Sequence, residues 1–155
     1  MKRLLLPLLA ALALPTAVNA ELTYLKCDLN EQRSNDYAGE QKLIGDKIVT
    51  VPNPNSKFSD WKPKKESTII EFTLNEEDQK GSIYNRDTGI SEKIPLVNFQ
   101  SESILISKRN GNDTLAFEIS RLDGSIIRQV SFFGGTMILE ARGSCKKSEP
   151  KKTLF

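Results

Sequence analysis

Leu115-Ala116-Phe117-Glu118-Ile119-Ser120 decides the fold class of this 155-residue chain. Side chains alternate along a β-strand, so Leu115, Phe117 and Ile119 share one face while Ala116, Glu118 and Ser120 share the other. One face suits a core and the other suits water. Segments that read the same way recur in both directions, at intervals of about ten residues. They are Leu22–Leu29, Leu43–Val51, Thr68–Leu74, Gly81–Asn85, Glu92–Phe99, Ser103–Lys108, Ser125–Phe132 and Thr136–Ser144. Asp123-Gly124, Asn110-Gly111, the Asn85–Gly89 stretch and Gly134-Gly135 lie between them, and such residues accept the positive φ of tight hairpin turns. The pattern predicts an all-β domain, a small antiparallel β-barrel or curved sandwich of about eight strands. Its expected core holds Leu25, Ile70, Phe72, Leu105 or Ile106, Phe117, Ile119, Ile127 or Val130, and Leu139.

The chain before this region has a different chemistry. Lys2 and Arg3 precede the Leu/Ala-rich run Leu4–Leu14, and Val18-Asn19-Ala20 offers small residues at a cleavage position, so residues 1–20 read as a secretory signal peptide. The apolar run contains Pro7 and falls short of the roughly 18 residues a membrane span requires. Cys27 lies too far from the cleavage position for a bacterial lipid anchor, so no membrane anchor is expected. The processed protein is expected in the periplasm or outside the cell, with residues 21–146 as a single β domain and 147–155 as a disordered basic tail.

Cleavage removes two of the 22 basic residues and none of the 20 acidic ones, leaving the remaining charges balanced. A nucleic-acid partner would call for a sustained basic excess, so none is expected. The two cysteines, Cys27 and Cys145, stand near opposite ends of the mature chain. In an oxidising compartment they are expected to pair, which requires the first and last strands to be neighbours. A redox-active pair would sit close together, as in Cys-x-x-Cys.

Histidine is absent, which removes histidine-based triads and the usual zinc ligand sets. No cofactor or metal site is indicated. Glu76-Glu77-Asp78 is the densest acidic run, yet consecutive residues of an extended chain point in opposite directions, so it reads as a solvated turn. Asn30–Lys42 is polar, with room at most for a short helix, and Pro52–Glu66 carries three prolines; both read as irregular stretches. Within the second, Trp61-Lys62-Pro63-Lys64-Lys65 sets the only tryptophan among lysines, which makes Trp61, Lys62, Lys64 and Lys65 the candidate surface-recognition residues for an anionic surface or acidic partner. The plainer reading has Trp61 capping the core while the lysines keep the loop soluble.

Tyr24-Leu25-Lys26-Cys27, Phe117–Gly124 and Gly143-Ser144-Cys145-Lys146-Lys147 resemble stretches of small secreted bacterial proteins, cyanobacterial ones included, with no assigned activity. In those a strand and turn of the type Ile-x-Arg-x-x-Gly precede a final Gly-x-Cys. The resemblance implies a compact exported β fold with one disulfide. A more distant likeness is to periplasmic lysozyme inhibitors, small barrels with an early and a late cysteine, although no position here matches their inhibitory motif. The expected function is a non-catalytic binding or inhibitor module of the cell envelope, acting on a small ligand or an envelope protein. The alternatives are a carboxylate-based hydrolase or isomerase and a structural envelope component.

Overall fold

The computed structural model describes residues 22–149, which are all-β with no helix. The strands are β1 (Leu22–Asn35), β2 (Gly39–Ile44), β3 (Lys47–Pro52), β4 (Lys62–Asn75), β5 (Lys80–Asn85), β6 (Ile90–Ile94), β7 (Val97–Phe99), β8 (Ser103–Asn110), β9 (Asp113–Ser120), β10 (Ser125–Phe132) and β11 (Met137–Lys147). Nine form one antiparallel sheet in the order β6-β5-β4-β1-β11-β10-β9-β8-β7, and β2 with β3 make a separate hairpin. The first and last strands, β1 and β11, are neighbours. The two edge strands, β6 and β7, are consecutive in the chain and separated only by Pro95 and Leu96. One extended segment thus pairs with β5 before Pro95 and with β8 after it. Proline cannot donate to a ladder, and the bend it marks brings the sheet round into a nearly closed barrel.

Apolar side chains fill the middle of this barrel. Leu25, Ile70, Phe72, Ile106, Phe117 and Ile119 are buried as expected. Phe72 and Phe117 come from strands that are not sheet neighbours, yet their rings meet edge to face with centroids 5.2 Å apart. The interior is therefore filled across its width at this level. Ile127 is 42% exposed, and Ile126 takes its place in the core. The register explains the exchange, because Arg128 lies opposite buried Phe117 and Ala141 and so shares the inward face with Ile126. An arginine on the inward parity breaks the apolar alternation and makes Ile127 look like the inward residue.

Other departures have equally local causes. The segment Asn30–Lys42 contains no helix: β1 continues to Asn35 through a register shift between Leu29 and Glu31, and β2 begins at Gly39. Leu43–Val51 is not one strand but parts of β2 and β3 on either side of a turn at Gly45-Asp46. The Pro-rich stretch is shorter than expected, with β4 beginning at Lys62. Its loop is tied to β1, since the Ser34 carbonyl accepts from the Ser59 amide at 2.8 Å and the Ser34 amide donates to Ser59 Oγ at 3.1 Å. Lys146 and Lys147 are strand residues, and the Ser148 amide donates to the Tyr24 carbonyl at 2.9 Å. The expected signal peptide lies outside the described residues, as do residues 150–155 of the expected tail.

Cys27 and Cys145 form a disulfide directly across β1 and β11. Their Cα atoms are 3.9 Å apart, and the Cys145 amide points the other way, donating to the Gly124 carbonyl at 2.7 Å. The pair therefore occupies a non-hydrogen-bonded position, where facing Cα atoms approach most closely. Such a bond is consistent with an oxidising compartment. Among the described residues no helix is long and apolar enough to cross a membrane.

The β9–β10 turn makes a pH prediction. Asp123 accepts from the Ser125 amide at 2.9 Å, and Ser120 Oγ accepts from the Leu122 and Asp123 amides. The Ser125 amide, with help from the Ser120 and Ser125 hydroxyls, pulls the Asp123 carboxyl down from the usual 3.8 to about 2. Since the folded-state value lies below the unfolded one, the contribution of this carboxylate is complete above 3.8 and is lost as pH falls toward about 2. In an NMR titration Asp123 should titrate near the lower value, with Ser125 amide exchange accelerating over the same window. Titration at the ordinary aspartate value would remove the proposed bond.

Candidate functional site

The end of the barrel where β1, β10 and β11 meet the hairpin is hollow. The strand ends here turn polar side chains inward. After the register shift in β1, Gln32 lies opposite Ala141 and Ser34 opposite Leu139, so both share the inward face of β11. From β10 the inward residues are Arg128, Val130 and Phe132. With Lys62 and Lys64 of β4, Asp36, Ser59 and the edges of Arg33 and Glu140, they enclose a cavity of about 580 Å³. That is within the roughly 300 to 1,000 Å³ of small-molecule sites. Val130 and Leu139, expected in the core, face the interior but line this space.

The polar groups of the cavity are unequally satisfied. Arg33 and Glu140 are held to each other, with Arg33 Nε donating to Glu140 Oε2 at 2.8 Å, while Glu140 Oε1 accepts from Gln129 at 3.2 Å. Both oxygens of that carboxylate thus accept a bond from within the protein. Lys64 lies where β4 departs from β1, between the Pro63–Glu31 and Thr68–Leu29 pairs, and its ammonium donates to the Thr68 hydroxyl. Arg128 Nε is buried with no hydrogen-bond partner among the described residues. No ion pair within them involves Lys64 or Arg128. Burial lowers the pKa of both, and for Lys64 the nearby Arg128 charge adds to the effect, against weaker pulls from Asp87 and Asp28. Two cations thus share one end of the barrel, and neither is bonded to a carboxylate among the described residues.

The opposite end of the barrel provides a contrast. A smaller hollow of about 350 Å³ is lined by Leu25, Phe99, Ile104, Ile119, Cys145 and Arg121 among others. There Arg121 donates to Glu76 at 3.2 Å and to the Gln100 carbonyl at 3.0 Å. Its guanidinium has two acceptors, whereas the buried Nε of Arg128 has none among the described residues. The acidic run is accounted for likewise, since Asp78 caps the β4–β5 turn with Asn75.

Of the four candidate recognition residues, Lys62 and Lys64 line the cavity, whereas Trp61 and Lys65 do not. Trp61 neither caps the core nor stands free. Its ring lies on the outer face of the sheet between two guanidiniums, 4.5 Å from Arg33 and 4.4 Å from Arg142. Phe58 adds a second ring against Arg33 at 4.4 Å. Glu31 accepts from Arg142 at 2.6 Å, and this bond holds its carboxyl below the usual range. The cluster fastens the Pro-rich loop to β1 and β11 and so fixes one wall of the cavity.

Sequence reasoning does not single out Arg128, Gln32 or Ser34. The available signal is Ile126-x-Arg128-x-Val130-x-Phe132, an alternating apolar series interrupted once by a cation. A different kind of surface lies on the hairpin, where Leu43, Ile44 and Ile48 are at least 60% exposed around the β2–β3 turn. Comparison with family models, with curated proteins and with solved structures finds no match, so the functional reading rests on the cavity itself.

Proposed function

We propose that the protein is an exported, non-catalytic binding module of a bacterial envelope or its surroundings, and that the cavity between β1, β4, β10 and β11 takes a small organic ligand. The observation that carries this reading is the barrel's division into a filled middle and a lined, open end. The inward face of β10 enters the core at Ile126 and continues past the filled region as Arg128, Val130 and Phe132, which line the cavity. The lining is mostly polar and charged, with one apolar strip of Val130, Phe132, Leu139 and Ala141, so it offers both a surface for an apolar body and polar groups that can fix its orientation. An envelope location agrees with the disulfide and with the signal-like residues 1–20.

The neutral dye N-phenyl-1-naphthylamine, which brightens in apolar surroundings, tests the reading with purified protein. Saturable enhancement is expected. Leu139→Trp should weaken it several-fold while leaving the far-ultraviolet circular dichroism unchanged, because Leu139 lines the cavity and a larger ring occupies part of it. No saturable binding to the wild-type protein, or undiminished binding to the variant, would overturn the assignment.

A further inference from the structure

We infer that the ligand is a small amphipathic monoanion, with its charged head against Arg128 and Lys64 and its apolar part along Val130, Phe132 and Leu139. This rests on the cavity being the binding site and goes further by naming what it binds. A guanidinium is always charged, and withdrawing it from water without a partner is costly. Arg128 nevertheless occupies an inward position, opposite Phe117 and Ala141, where an apolar residue would continue the core at lower cost. Arg121, an exposed residue at the rim of the opposite hollow, is bonded to Glu76 and a carbonyl. Arg128 Nε has no such acceptor.

What is missing around Arg128 is an oxygen acceptor carrying negative charge. Lys64 reaches the same space, bonded only to a hydroxyl, so an anion there would meet two cations at once. The apolar wall formed by Val130, Phe132 and Leu139 continues from that position along β10 and β11. A ligand with one polar and one apolar end matches both. Asp36 and Glu140 in the same lining disfavour a polyanion such as a nucleoside triphosphate. The class is therefore a carboxylate, sulfonate or similar single charge on an apolar body.

Two dyes of similar shape separate the charge from the cavity. 1-Anilinonaphthalene-8-sulfonate carries one negative charge and N-phenyl-1-naphthylamine carries none. The wild-type protein should bind the sulfonate about tenfold or more tightly than the neutral dye. Arg128→Met should weaken the sulfonate by about 10- to 100-fold, the range for losing a charged hydrogen-bond partner, and change the neutral dye by less than about threefold. Lys64→Met should act in the same direction with a smaller loss. Removing a part-buried charge whose Nε has no acceptor should leave the thermal midpoint of Arg128→Met equal or higher, which separates lost recognition from lost structure. Equal affinity for the two dyes, or loss of both to the same extent in Arg128→Met, would overturn the anion inference and leave the cavity reading standing. Sulfonate binding unaffected by Arg128→Met, as expected of dye on the hairpin tip, would overturn it too. If the wild-type protein binds neither dye, the cavity reading fails together with it.

Discussion

Cys27→Ala/Cys145→Ala, or reduction of the native protein, is expected to lower the unfolding free energy by about 3 to 5 kcal/mol. The bond joins residues 118 apart, so in the oxidised chain it removes from the unfolded ensemble the freedom of nearly the whole domain. Its absence should change the folded state little. The β1–β11 ladder extends from Leu25–Lys147 to Asn35–Ile138 and holds the two strands together on both sides of the cystine. The free energy lost therefore comes mainly from the unfolded side, and the thermal midpoint should fall by roughly 10 to 20 °C. Urea titrations with and without reductant supply the measurement. A lower midpoint together with a steeper denaturant dependence is expected, because the reduced unfolded chain exposes more surface. A loss below about 1 kcal/mol would mean that the ends of the domain remain associated after unfolding, or that the bond strains the barrel by as much as it constrains the chain.

Gly143→Ala should be at least as damaging, at about 3 kcal/mol or more, through a mechanism confined to one point. Gly143 faces Leu29 just before the register shift in β1, where the β1 backbone crosses its surface. A Cβ placed there would lie 1.7 Å from the Asp28 carbonyl oxygen and 2.9 Å from the Leu29 Cα. Both contacts are to backbone, so no rotamer relieves them, and β1 would have to move away from β11 two residues from the cystine. Gly45→Ala is the control. Gly45 also has a special backbone (φ 62°), but nothing lies within 4 Å of its Cβ position, so only the left-handed strain of about 1 to 2 kcal/mol applies. If Gly143→Ala unfolds outright, its failure beside a folded Gly45→Ala makes the same point. Equal costs at the two positions would contradict the close approach of the strands.

The final Gly-x-Cys thus has a physical basis: Gly143 admits the neighbouring backbone and Cys145, on the same face, ties β11 to β1. Both roles depend on β1 and β11 being adjacent, and the placement of the two cysteines makes that adjacency legible in the sequence. The middle of the barrel is legible for a similar reason. Leu25, Phe72, Phe117 and Ile119 alternate with polar residues because one face meets a filled core and the other meets water. Legibility fails at one end of the barrel. Beyond Leu29 the inward residues of β1 are Gln32 and Ser34, and the start of β4 brings Lys62 and Lys64, so the alternation disappears although the strands continue. These segments line open space rather than a core, and a polar lining carries no period-two hydrophobic signal. Arg128 hides the parity of β10 in the same way, by making Ile127 look like the inward residue of its pair. The places where alternation breaks while the β-ladder persists are the places that form the site, as expected where local preference yields to function. The hairpin is obscured for another reason. Its apolar residues lie on both sides of a turn whose only cue is Gly45-Asp46, so Leu43–Val51 reads as one strand.

The binding account stands or falls on where an amphipathic anion settles. Two-dimensional NMR of the labelled protein, titrated with 1-anilinonaphthalene-8-sulfonate and observing both backbone amides and the Arg128 Nε–H, locates it residue by residue. The largest changes are predicted at Arg128 Nε–H and at the amides of Ser34, Val130, Phe132 and Leu139, with the Ser120–Gly124 end of the barrel unmoved. Changes concentrated at Ser120–Gly124 or on the β2–β3 hairpin, with the Arg128 signal unaltered, would contradict it.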